Sequence, residues 1–234
     1  MPTPTQIGAS LAGALVALSL SACGSSESDD FADQSVDKIT SQAEAAMKNV
    51  KSLRLAGTVT SDEEKIDLDL AISTSGDCAG SVGISGAKAE VLVAGGEQYM
   101  KGSKEFWKLT AGAQADQIMA VLGDKWAKIP STQTEFSEFC DLDAFLDEMK
   151  KDDDKDKAKK GKVAKVGSTE AVEIVGKDED GVTHAWVATE GKHYIVKISN
   201  AGKEGGEIAF SDFNEPVGAK KPAAGEVLDF SKLG

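Results

Sequence analysis

An α+β domain built mainly of antiparallel strands is the fold class that this sequence predicts, on three observations. Apolar residues recur at three and four positions only near residue 40 and over residues 111–149. Elsewhere they recur at every second position, in short runs separated by Gly-containing turns. No strand–helix–strand order marks a parallel crossover.

The elements follow in order. Val36, Ile39, Ala43, Ala46 with Met47, and Val50 share one face of a helix expected from Ser35 to Lys51. Period two then begins. Leu53, Leu55, Gly57 and Val59 alternate with Arg54, Ala56 and Thr58, and Ile66, Leu68, Leu70 and Ile72 alternate with Lys65, Asp67, Asp69 and Ala71. Further strands are expected at Cys78–Ile84, Ala87–Ala94, Gln98–Lys101 and Glu105–Leu109. A helical block follows: Ala111–Leu122, the extended KWAKI around Trp126, and Thr134–Met149, which carries Phe136, Phe139, Cys140, Leu142, Phe145, Leu146 and Met149. Strands resume at Gly161–Val166, Thr169–Val175, Val182–Thr189, His193–Ser199 and Gly206–Phe213, before an irregular C-terminal stretch. The total is about eleven strands and about three helices.

The run from Ile7 to Ala22 is uncharged and ends in small residues, as a signal-peptide cleavage site requires. It falls short of the ~20 residues that span a bilayer comfortably. Leu20-Ser21-Ala22-Cys23, followed by Gly24, resembles the lipobox of bacterial lipoproteins. That resemblance implies cleavage before Cys23 and diacylglyceryl and palmitate chains on the new N-terminal cysteine. Residues 1–22 then read as a lipoprotein signal peptide, 23–34 as a lipidated, solvated tether, and 35–234 as a single domain. Residues 1–10 carry no Lys or Arg, so the positive n-region is expected further upstream.

The 39 acidic and 26 basic residues give a net charge of −13, which opposes nucleic acid and anionic headgroups as partners. Membrane attachment therefore falls to the acyl chains on Cys23, of which two give stable anchoring. The expected location is the extracytoplasmic face of the cell membrane. With Cys23 used, Cys78 and Cys140 remain; in an exported chain they read as one disulfide, the alternative being two buried thiols.

Four stretches, AAMKNVKSLRLAGTV, GGEQYMKGSKEFWKL, HAWVATEGKHYIVKIS and IAFSDFNEPV, resemble the LppX/LprG family of actinobacterial envelope lipoproteins. The likeness extends over most of residues 23–234. It implies a LolA-like fold, an unclosed antiparallel half-barrel wrapped around helices, which holds acyl chains in an apolar cavity. It also implies lipid or acylated glycolipid as the partner. Residues placed to line or lid such a cavity are Leu55, Leu68, Leu70, Val91, Val93, Trp107, Trp126, Phe139, Phe145 and Met149, with Gly57, Gly80, Ala87 and Ala89 leaving room.

The sequence offers little for catalysis. His184 and His193 are the only histidines, and no Ser or Cys sits in a nucleophile-elbow setting. Glu63 with Glu64, and Asp178 with Glu179, lie in polar turns. In the charged run 150–162, Asp152, Asp154 and Asp156 alternate as calcium ligands would, but Lys157 replaces the required Gly and no closing Glu follows. No cofactor or metal is expected, and the chain reads as a binder, not an enzyme. Two functions remain: a lipid-binding lipoprotein, or an anchored envelope interaction module whose sheet is filled by its own helices.

Overall fold

The computed structural model describes residues 30–130, 132, 139–149, 158–177, 181–203 and 205–230. Cys23, the signal peptide, the start of the tether, Phe136, most of the charged run and the pair Asp178–Glu179 lie outside the described residues.

The chain enters through a short 3-10 turn, Phe31–Asp33, whose Phe31 and Ala32 are buried. Residues 30–34, read from the sequence as tether, are therefore part of the domain. Helix α1 (Val36–Met47) is capped by Ser35, whose hydroxyl accepts the Lys38 N–H, and it buries Ile39, Ala43 and Met47. Five antiparallel strands follow: β1 (Ser52–Ser61), β2 (Glu64–Ser73), β3 (Cys78–Ile84), β4 (Ala87–Ala94) and β5 (Glu97–Gly102).

The strand expected at Glu105–Leu109 is instead part of helix α2 (Lys104–Ala111). Ser103 caps it, its hydroxyl accepting the Phe106 N–H at 3.1 Å. Adjacent residues Phe106 and Trp107 are both buried, edge to face with centroids 5.7 Å apart, which period-two geometry does not allow. Gly112, at φ 53°, ends α2, and the helix expected over Ala111–Leu122 is a 3-10 turn, Gly112–Gln114, followed by α3 (Ala115–Leu122).

Strand β6 (Trp126–Ile129) joins β5. Cys140 precedes helix α4 (Leu142–Glu148) and does not lie in it. Asp141 is the cap, its carboxylate accepting the Ala144 N–H at 2.9 Å. Cys140 is bonded to Cys78 with Cα atoms 5.5 Å apart, so the disulfide ties the entry of α4 to β3.

The second half comprises β7 (Lys159–Val166), β8 (Thr169–Lys177), β9 (Val182–Ala188), β10 (Ile195–Asn200) and β11 (Gly206–Ser211), and β11 pairs with β1. A three-residue strand, β12 (Val227–Asp229), lies parallel to β6, so the sheet is mixed and not purely antiparallel. Twelve strands among the described residues form one unclosed sheet in the order β12-β6-β5-β4-β3-β2-β1-β11-β10-β9-β8-β7.

Helices cover one face of this sheet. Met47 of α1 and Leu142 and Leu146 of α4 pack on Leu53, Leu55, Leu70, Ile72, Cys78 and Phe210. Further along, Ile39 and Ala43 pack on Val172, Ile174 and Val187. Helices α2 and α3 cover Ala87, Ala89 and Ala127. The C-terminal stretch crosses the opposite face, where Ala219 and Val227 lie against Leu92, Ala94 and Tyr99.

Candidate functional site

The helix-covered face carries one continuous apolar surface whose register is fixed by strand pairing. Leu53, Leu55, Gly57 and Val59 of β1 stand opposite Ile72, Leu70, Leu68 and Ile66 of β2, and these continue into Cys78, Gly80, Val82 and Ile84 of β3. On the other side Phe210 and Ile208 of β11 face Leu55 and Gly57, and Ile198 of β10 faces Ile208. Alternation therefore aims every one of these side chains the same way.

The surface has two halves. Toward the disulfide, Leu55, Leu70, Val91 and Val93 are buried in the cluster that contains Leu142 and Leu146. Phe145 and Met149 are half-buried against it, Phe145 with its ring centroid 5.7 Å from that of Phe210. Toward the β1–β2 turn, Val59, Ile66, Leu68, Ile198 and Ile208 are only half-buried. These form a half-exposed apolar row, the trough, beside that cluster. Tyr194 and Phe213 stack beside it at 4.2 Å, and the Tyr194 hydroxyl accepts a hydrogen bond from Asn214 Nδ2 at 2.9 Å. Gln98, on the same face opposite Val93, is buried, and its Oε1 has no hydrogen-bond partner among the described residues.

The structure thus brings together seven of the residues singled out in sequence: Leu55, Leu68, Leu70, Val91, Val93, Phe145 and Met149. Trp107 belongs to α2 and is buried between that helix and the same face, in the neighbouring cluster with Phe106. Phe139 is exposed. Trp126 does not join them; it packs on the opposite face against Leu92, Ala94 and Tyr99. Gly57 and Gly80 are not vacancies in the trough either. A Cβ on Gly57 would collide with the Glu207 carbonyl, and one on Gly80, where φ is 152°, with the Asp69 carbonyl, so both glycines let adjacent strands approach. Val59 and Ile66 are alternating positions in the sequence, and Ile198 and Ile208 fall within the expected strands His193–Ser199 and Gly206–Phe213, but nothing in the sequence marks which of them stays half-exposed.

Charge sits on the other face. Glu97 takes hydrogen bonds from Lys128 (2.5 Å), Lys221 (2.6 Å) and the Tyr99 hydroxyl (2.9 Å). Donation from Lys128, then from Lys221 and Tyr99, brings its pKa down to about 2. Burial pushes Glu173 up, but His184, 2.8 Å away, and the Lys162 backbone N–H hold it below the ordinary range. Among the described residues, no three His, Cys, Asp or Glu side chains gather as a metal site, and no helix is long and apolar enough to cross a membrane.

An unclosed, mainly antiparallel sheet with helices on one apolar face is the LolA-like architecture. No family model matches the sequence, and no curated protein matches it. Among solved structures, LprF from Mycobacterium bovis superposes with a TM-score of 0.57 at 12% identity, covering 81% of this chain and 97% of its own. The Mycobacterium tuberculosis lipoprotein LppX superposes with a TM-score of 0.52 at 15% identity, covering 79% and 98%. The fold is LppX/LprG-like.

Proposed function

We propose that this chain is a membrane-anchored extracytoplasmic lipoprotein that binds and carries lipid or acylated glycolipid in the apolar trough. The observation that carries this reading is the half-exposed row Val59, Ile66, Leu68, Ile198 and Ile208, continuous with a core yet not closed by it. An acyl chain laid along the row would be stabilised by about 0.8 kcal/mol per buried methylene. Leu20-Ser21-Ala22-Cys23 supports anchoring through Cys23, and the Cys78–Cys140 bond suits an oxidising compartment.

Native mass spectrometry of a chain beginning at Gly24, purified without detergent, tests the ligand. Lipid-sized adducts that disappear in Leu68→Asp support the trough. A chain that carries none and takes up no labelled fatty acid would decide for the anchored interaction module with a filled core. Separately, Cys23→Ser should release the protein from membranes or leave its precursor uncleaved.

A further inference from the structure

Resting on the reading that the trough holds lipid, we propose that its occupant is a single acyl chain of about 16 carbons laid across the strands, with its carboxyl or ester end at Thr183 and Asn200 and its methyl end at Leu68 and Val82. The half-exposed surface is long across the sheet and short along it. Ala185, Ile198, Ile208, Gly57 and Leu68, on β9, β10, β11, β1 and β2, stand directly opposite one another in one cross-strand rung, and all are half-buried. Four inter-strand spacings make this rung roughly 19 Å long. A second half-buried rung, Thr183, Asn200, Gly206, Val59 and Ile66, lies two residues along the strands, at roughly 7 Å. An extended hydrocarbon advances about 1.3 Å for each C–C bond of ~1.5 Å, so roughly 15 bonds fill the long dimension. The short dimension gives one chain carbon contacts at about 3.5–4.0 Å on both sides and leaves no room for a second chain beside it.

Three sides of the rung are closed. Beyond Leu68 it runs into Val82 and Ala89, both buried, and then into Gly102, against which the rings of Phe106 and Trp107 of α2 lie. Beyond Ala185 it meets Ile174, buried under Ile39 and Ala43 of α1. Toward the disulfide the next rung, Phe210, Leu55 and Leu70, is buried beside Phe145 of α4. A chain in this slot therefore has defined ends.

Those ends differ in polarity. Thr183 and Asn200 are the polar residues of the two rungs, and both stand at the β9–β10 end. Asn200 Nδ2 donates to Thr183 Oγ1 at 3.0 Å, and Asn200 Oδ1 accepts the Gly202 N–H at 2.6 Å. The Thr183 hydroxyl hydrogen and the second Nδ2 hydrogen remain as donors, with no acceptor among the described residues. A carboxyl or ester oxygen supplies that acceptor, and a methyl end does not. Room for a head group is present there too: Gly176 stands opposite Thr183, and a Cβ on it would meet nothing within 4 Å. The head thus leaves past Gly176, while the methyl end stays toward α2.

Photo-cross-linking tests the orientation. The described domain begins at Asp30, so a delipidated chain starting at Gly24 contains all of it. Two 16-carbon fatty acids serve as probes, one with a diazirine next to the carboxyl and one with it next to the terminal methyl. The first should label β8–β10 around Thr183, Ala185 and Ile198; the second should label Leu68, Val82 or α2, and each should add once per protein. Thr183→Val should weaken palmitate binding at least fivefold without lowering the melting temperature, and Thr183→Ser should restore it. Both probes on the same strands, the reverse order, two chains per protein, or a Thr183→Val protein that binds palmitate like wild type overturns the proposal. Uptake of labelled phosphatidylcholine but of neither probe also overturns it, and leaves the lipid-binding reading standing. Uptake of none of the three refutes both.

Discussion

Phe31 lies flat on the imidazole of His193, with ring centroids 3.8 Å apart and planes within 1° of parallel. His193, held at φ 56°, donates from Nδ1 to the Ala188 carbonyl at 3.0 Å, which fixes the ring that Phe31 covers. Lys160 completes the fastening from β7, its ammonium donating to the carbonyls of Ala32 (2.7 Å) and Gln34 (3.0 Å). The segment expected to be solvated is thus the first packed element of the domain.

Phe31→Ala should remove this fastening at a cost of about 3 kcal/mol, the low end for a buried phenyl ring because a terminal segment can open locally. Hydrogen exchange would show protection lost over residues 30–36 first. Protection unchanged there would mean that the stack does not hold the segment.

The Cys78–Cys140 bond closes a loop of 62 residues, for which loop entropy gives roughly 4 kcal/mol. In a domain of about 200 residues this corresponds to a loss of roughly 8–16 °C in melting temperature for the double variant Cys78→Ala, Cys140→Ala. Because Cys140 sits just before the cap of α4, protection in α4 should fall more than in β8 or β9. Equal loss across the sheet would count against a role in holding α4.

Glu97 is the group whose titration should be visible in acid. Its folded pKa of about 2 lies below the ordinary 4.5, so the stability it contributes is fully present above about pH 4.5 and is lost as the pH falls toward 2. Glu97→Gln should flatten the stability profile in that window. It should also loosen the C-terminal stretch, since Lys221 loses its partner there. A variant with the wild-type acid limb would show that other carboxylates set it.

The strands and their faces were legible because one face is apolar over ten residues in β1 and β2, long enough for period two to be unambiguous. Short elements were not. In the four-residue β6, Trp126 and Ala127 are both apolar, so parity could not say that Ala127 faces the helices and Trp126 the C-terminal stretch. Helix α2 was read as a strand because Lys-Glu-Phe-Trp-Lys-Leu fits both periods; the Ser103 cap decides it. Strand β12 has only three residues and gains its pairing from distant β6. At the candidate site, composition suggested space at Gly57 and Gly80, whereas strand approach requires them.

The two halves of the apolar face should respond oppositely to the same substitution. Val91 is 4% exposed within the cluster under α4, so Val91→Trp forces bulk into filled volume and should cost about 1–3 kcal/mol. Leu68, opposite Gly57 and Val82, is half-buried where the trough is open, so Leu68→Trp can turn its indole along the row with little loss of stability. That indole would occupy the surface on which an acyl chain is proposed to lie. The expected outcome is a Leu68→Trp protein that melts within a few degrees of wild type but carries less extractable lipid, beside a Val91→Trp protein that melts earlier. If Leu68→Trp is as destabilising as Val91→Trp, the open half is filled in solution. If it is stable and its lipid load is unchanged, the ligand lies elsewhere.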